Sequence, residues 1–147
     1  MTYRLACDAS DVFAAFGGVA GAYSGRALCE PSRPVPMLFF HGTADLIVPF
    51  DGGNGMPAIA PFVEALARHN GCDPQPAPIA PVGSVSGWQY LHCEADAGVA
   101  LYIIDGGGHT WPGGWDGRDF LLGTTTQEVS ASAILWDFYE AHPLVGG

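Results

Sequence analysis

Val35 to Phe40 reads as an unbroken apolar run, Val35-Pro36-Met37-Leu38-Phe39-Phe40. Without polar alternation, such a run predicts a strand buried on both faces, as in a parallel sheet. Pro36 cannot donate to a ladder, so it belongs at the strand's beginning. Val99 to Ile104 (VALYII) is a second run of this kind, ending in two β-branched isoleucines. Between the two runs, Ile59, Phe62, Val63 and Leu66 recur at helical spacing and form one apolar stripe. They predict a helix within 57–70, starting at Pro57 or nearer Pro61 and ended by Asn70-Gly71.

The flanking segments carry weaker patterns. Residues 1–16 suggest the end of one helix, a break at Asp8–Ser10, and a short second helix capped by Ser10 or Asp8. GGVAGAY (17–23) is a small-residue strand candidate, and 24–34 is loop. Residues 73–87 read as a Pro- and Gly-rich loop, and Trp88 to Cys93 as an antiparallel or peripheral strand. A loop of Trp, Gly and Pro follows His109 to about Thr126, and 127–141 forms a last helix. Its inward face is either Val129, Ala133, Trp136 and Tyr139, or Ile134, Leu135 and Phe138; Trp136, with Trp88 and the phenylalanines, is expected in the core. Alternating strands and helices predict an α/β layered fold. Its chemistry is then expected beyond the carboxyl ends of the strands.

The chain has 147 residues, a length suited to one domain. Hydrophobic residues make up 48% and charged residues 14%, too apolar for a disordered chain. No run reaches the roughly 20 apolar residues that a membrane-spanning helix needs. Fifteen acidic residues stand against five arginines, with no lysine, for a net charge of −10. That balance argues against a nucleic-acid partner, whose phosphates call for basic residues, and against an anionic membrane surface.

The four cysteines, Cys7, Cys29, Cys72 and Cys93, include no C-x-x-C pair and no zinc-finger histidine spacing. They allow three disulfide connectivities. Cys72–Cys93 and Cys7–Cys29 close the shortest loops; four buried free thiols are the alternative. Disulfides would imply an oxidising compartment. The segment MTYRLACDAS shows no basic region followed by an apolar run of the signal-peptide kind.

Two polar residues follow the predicted buried strands: Asp45, in His41-Gly42-Thr43-Ala44-Asp45, and His109, after Asp105-Gly106-Gly107-Gly108. A carboxylate can orient a histidine, and the histidine can move a proton for a nucleophile. The glycines around His109 permit tight turns and close backbone approach. Trp111 and Trp115, in the same loop, are candidates to wall a substrate pocket. Either polar residue taken alone is more often structural, Asp45 as a helix cap or turn residue and His109 within a glycine loop. His41 is expected to pack beneath the Asp45 loop. His69 and His142 are expected near helix C-termini, where the dipole favours positive charge.

Taken together, HGTADLIVPFDGG and GGGHTWPGG, in that order, resemble the C-terminal half of the α/β-hydrolase esterases of the poly(3-hydroxybutyrate) depolymerase and feruloyl esterase group. MTYRLAC looks like the helix that follows their nucleophile elbow, and Asn70-Gly71-Cys72 followed by Cys93 is similar too. The resemblance covers nearly the whole chain. It implies one partial α/β-hydrolase domain over 1–147, secretion, an ester or polyester substrate, no cofactor and no metal. It also implies Asp45 as triad acid and His109 as triad base, in the family's Ser-Asp-His order.

The departure is the nucleophile. No G-x-S-x-G occurs in the 147 residues, and the family's earlier strands are missing too. Ser84 and Ser86, in a predicted loop, are the candidates for a substitute. Unless a serine is supplied, hydrolysis is expected near background, since losing it costs about 10⁶-fold in kcat. A non-catalytic binding or assembly module on a hydrolase frame is the alternative reading. A sheet open at strand 17–23 would expose an edge that recruits other chains, so oligomerisation or insolubility is expected.

Overall fold

The computed structural model describes residues 1–21, 31–53, 55–116 and 119–144. Among these residues four α-helices and five strands follow in the order α1 (Thr2–Asp8), β1 (Phe16–Val19), β2 (Met37–Gly42), α2 (Ile59–His69), β3 (Ala77–Val82), β4 (Val85–Tyr90), β5 (Val99–Ile104), α3 (Asp119–Leu122) and α4 (Ala131–Ala141). The strands form one sheet in the order β1-β2-β5-β4-β3. β1, β2 and β5 run parallel, whereas β4 and β3 continue the sheet antiparallel. The fold is α/β with a mixed sheet and helices on both faces, as in part of an α/β-hydrolase.

β2 and β5 lie at the centre, and their apolar runs have a direct cause. Successive strand residues point to opposite faces. Met37 and Phe39 pack with Val99 and Leu101 against Ile59 and Val63 of α2. Leu38 and Phe40 pack with Ala100 and Ile104 against Ala131 and Leu135 of α4. Both faces are therefore core, and every residue of β2 is buried. Complete burial of a side chain such as Phe39 or Phe40 contributes roughly 1.5–3 kcal/mol.

α2 starts at Ile59, so Pro61 is its third residue. First-turn N–H groups have no partner within a helix, and the proline is tolerated there. Asn70 closes the helix and is wholly buried. Its Nδ2 donates to the carbonyls of Val35 (2.8 Å) and Ala97 (2.7 Å), and its Oδ1 accepts the Val35 N–H. The end of α2 is thereby tied to the chain entering β2 and β5. The Cys72–Cys93 disulfide reinforces the same corner. The Cys7–Cys29 pairing falls on Cys29, outside the described residues.

Several sequence expectations change. Residues 73–87 are not simply loop, for they contain β3 and the start of β4. Pro78 and Pro81 mask β3 in the sequence, yet an edge strand tolerates residues that cannot donate to a ladder. The register between β3 and β4 is irregular between Ile79 and Val82, around Pro81. No second helix follows α1. Backbone turns to the Ala9 carbonyl take its place, and the Ser10 hydroxyl bonds Ser32 instead of capping. The strand expected over 17–23 is the shorter β1, Phe16–Val19, with Ala22 and Tyr23 outside the described residues. The long loop after His109 includes the short α3.

The last helix begins at Ala131, capped by the Ser130 hydroxyl accepting the Ala133 N–H. It turns Ile134, Leu135 and Phe138 inward. Trp136 is 64% exposed, and Phe13 and Phe120 are exposed too, so their expected place in the core is wrong. α4 packs so tightly on β1 that a methyl group at Gly17 would stand 2.4 Å from a Leu135 methyl.

Candidate active site

The acid loop leaves the C-terminal end of β2, and the base loop leaves that of β5, its parallel neighbour. Backbone bonds sew the two loops together. Thr43 N–H donates to the Ile104 carbonyl and Ala44 N–H to the Gly107 carbonyl, each at 2.9 Å. The Thr43 hydroxyl donates to Asp105 Oδ1 and accepts the Gly106 N–H. On its far side, the base loop is anchored by Gly108 N–H to the Thr124 carbonyl and His109 N–H to the Leu122 carbonyl. The glycines Gly42 and Gly108 make this closeness possible. A Cβ at Gly42 would lie 2.1 Å from the Gly107 carbonyl oxygen, and one at Gly108 2.1 Å from the Leu122 carbonyl oxygen.

The two loops bring Asp45 and His109 together. His109 Nδ1–H donates to Asp45 Oδ2 at 2.9 Å. Asp45 Oδ1 accepts the backbone N–H groups of Ile47 (2.9 Å) and Val48 (2.8 Å). The Asp45 side chain is wholly buried, while the His109 side chain is about one-third exposed. Three hydrogen bonds fix the direction of this buried carboxylate. Its bond to Nδ1 leaves the other ring nitrogen of neutral His109, Nε2, as the proton acceptor. Among the described residues no hydrogen bond engages that Nε2.

His109 lines a cleft of about 310 Å³ with Val19, Ala20, Thr110, Trp111, Trp115, Leu122 and Thr125. Both predicted wall residues, Trp111 and Trp115, are therefore on the histidine's cleft. Trp111 is held there by its Nε1–H, which donates to the Ser132 hydroxyl at 3.1 Å. Ala20, in the same wall, has a left-handed backbone (φ 49°) that costs a non-glycine residue energy and is enriched at functional sites.

His41 lies beneath the acid loop, as expected. It is buried, and its Nε2–H donates to the Val48 carbonyl at 2.8 Å. The same nitrogen stands 3.5 Å from Asp45 Oδ2. Burial lowers its pKa below the usual 6.5, the principal cause, with the Val48 carbonyl and the Asp45 charge opposing.

Ser84 is engaged by a carboxylate other than Asp45. Its hydroxyl and N–H both donate to Glu128 Oε2, a bond that holds the Glu128 carboxyl below its ordinary range. Ser86 lies on β4, with its side chain on the exposed side. His92 forms an exposed pair with Asp73 (2.7 Å), and His142 Nδ1–H donates to the Phe138 carbonyl. Among the described residues no group of three His, Cys, Asp or Glu side chains is placed to hold a metal. None of the described helices is long and apolar enough to cross a membrane.

No protein-family model matches the chain. Three named proteins do. "Putative esterase NocK" of Nocardia uniformis subsp. tsuyamanensis is 34% identical across the whole chain, which covers 48% of that protein. "Feruloyl esterase B" of Piromyces equi is 33% identical over 82% of the chain and 25% of its own length. "Probable feruloyl esterase C" of Aspergillus niger is 31% identical over 96% of the chain and 46% of its own length. The chain spans half or less of the length of each of these relatives. By sequence, then, the chain is a relative of proteins named as esterases, matching one segment of them.

Proposed function

We propose that this chain is the C-terminal part of a serine-type carboxylic ester hydrolase of the feruloyl esterase and poly(3-hydroxybutyrate) depolymerase kind, with His109 as general base and Asp45 as its orienting acid. The observation that carries the reading is the 2.9 Å Nδ1–Oδ2 bond between a fully buried carboxylate and a histidine open to a cleft. The nucleophilic serine lies outside these 147 residues. His109 Nε2 accepts its proton as Oγ bonds to the ester carbonyl carbon. The tetrahedral intermediate collapses, the alcohol leaves with that proton, and an acyl-enzyme remains. Water, deprotonated by His109, attacks the acyl carbon; the acid is released and the serine regains a proton.

Trp111 and Trp115 form the wall against which the ester's apolar part rests. No cofactor or metal enters this chemistry. The Cys72–Cys93 bond fits a secreted protein in an oxidising compartment. β1 pairs only with β2 among the described residues. Its other edge is the surface through which a further strand or a second copy joins the sheet.

A fluorophosphonate labels activated serines, so it tests the reading directly. In a polypeptide that carries a Gly-x-Ser-x-Gly segment ahead of Met1, the serine is expected to label rapidly, and His109→Ala to slow labelling by orders of magnitude. Equal labelling rates with and without His109 would contradict the proposal.

A further inference from the structure

The Asp45 carboxylate has two histidines beside it, and the mechanism uses only one. His109 reaches Oδ2 from the cleft, while His41 approaches the same oxygen from the buried side. His41 is 2% exposed and belongs to β2, the most buried strand of the sheet. Its ring lies 6.1 Å from that of Phe50, centroid to centroid. Among the described residues, the titratable groups whose charge acts on it are Asp45 and His109.

We infer that His41 is a positioning residue that fixes the direction of the Asp45 carboxylate and thereby the tautomer of His109. The inference rests on Asp45 and His109 being the acid and base. The geometry gives His41 two holds on the acid loop. The first is the 2.8 Å bond from Nε2–H to the Val48 carbonyl. Val48 N–H in turn donates to Asp45 Oδ1, so one residue of the loop is gripped by His41 and grips the carboxylate. The second hold is the edge of the same N–H dipole, 3.5 Å from Oδ2. At that distance it is no full hydrogen bond, yet it presents positive charge to the oxygen that must receive His109. Burial disfavours the charged imidazolium. A neutral His41 donates from Nε2 without competing for Asp45 as a cation would. A phenylalanine would fill the same space and supply neither hold.

Nitrogen-resolved NMR of the imidazole rings of the 147-residue chain tests this without any need for turnover. In the unaltered protein, neutral His109 is expected to carry its proton on Nδ1, and His41 on Nε2 with slow solvent exchange. In His41→Phe, the ratio of Nδ1–H to Nε2–H in His109 is expected to fall about fivefold, the size of one lost hydrogen bond. His41→Gln, whose amide N–H can still reach the Val48 carbonyl, is expected to restore it. A residue that only filled space would alter stability and leave the His109 tautomer alone.

An unchanged His109 tautomer in His41→Phe would overturn the inference while leaving the acid–base pair standing. A His109 protonated on Nε2 in the unaltered chain would overturn that pairing instead. Should His41→Phe fail to fold, the unaltered protein and His41→Gln still decide. A His41 protonated on Nδ1, or a lost His109 tautomer in a folded His41→Gln, would refute the role.

Discussion

Gly42 and Gly107 approach so closely that a methyl group on Gly42 would stand 2.1 Å from the Gly107 carbonyl oxygen. The contact is backbone on backbone, and no side chain can swing aside to relieve it. It sets the spacing of the acid and base loops, because the same Gly107 carbonyl accepts the Ala44 N–H. Gly42→Ala is expected to destabilise the fold by about 1–3 kcal/mol, the usual cost of overpacking. Urea unfolding measures the loss, and the His109–Asp45 proton resonance should weaken with it. Full stability in the variant would contradict the loop geometry.

The Asp45 carboxylate can be made neutral at constant shape. Asp45→Asn presents an amide to His109, which then favours the opposite tautomer. In a protein completed with its serine, kcat is expected to fall about 10⁴-fold with little change in KM. A fall of less than tenfold would place the acid elsewhere.

The depressed pKa of His41 makes stability depend on pH in a defined direction. In the unfolded chain a histidine takes up its proton near pH 6.5, whereas folded His41 resists it to lower pH. Between those two pKa values the unfolded state binds more protons, so stability falls as pH drops below about 6.5. Above that pH both states are neutral at His41 and the contribution is flat. Melting curves of the chain and of His41→Gln should diverge only below about pH 6.5. Parallel curves throughout would show that His41 is not held neutral.

The Cys72–Cys93 bond closes a loop of 21 positions between the end of α2 and the segment after β4. Chain-entropy arguments give such a cross-link about 3 kcal/mol. Replacing both cysteines with alanine should lower the unfolding free energy by roughly that amount, read from urea titration. Asn70 would still hold the corner, so folding should survive.

The cleft wall is testable by binding alone. Trp111 is anchored by Ser132 and lines the same cleft as His109. Trp111→Ala should weaken the binding of an aromatic carboxylate such as a hydroxycinnamate about three- to tenfold, the range of one aromatic contact. Calorimetric titration reads the change; unaltered affinity would remove Trp111 from the wall.

Much of the central architecture was legible because burial on both faces leaves a plain sequence trace. β5 coincides with the VALYII run, and the α2 stripe packs as its spacing predicts. The edge was less legible. β3 contains two prolines and exposes most of its length, so neither period nor composition marks it as a strand. Trp136 misled for a related reason: the indole suggested core, but Ile134, Leu135 and Phe138 already cover the sheet and leave its side of α4 to solvent. Asp45 and His109 announce themselves by following the two buried strands. The ties from Thr43 to Asp105 and from His41 to Val48 do not, since they depend on how two loops distant in sequence meet. Gly42 carried the one available hint, a glycine where the acid loop leaves its strand.

The central claim is that His109 moves the proton in ester hydrolysis. The most direct measurement is kcat/KM for a short p-nitrophenyl ester in a polypeptide carrying the Gly-x-Ser-x-Gly segment ahead of Met1, beside its His109→Ala variant. The expected result is hydrolysis far above buffer, falling by about 10⁴-fold or more when His109 is removed. Equal rates in the two proteins would contradict the assignment of His109 as the base.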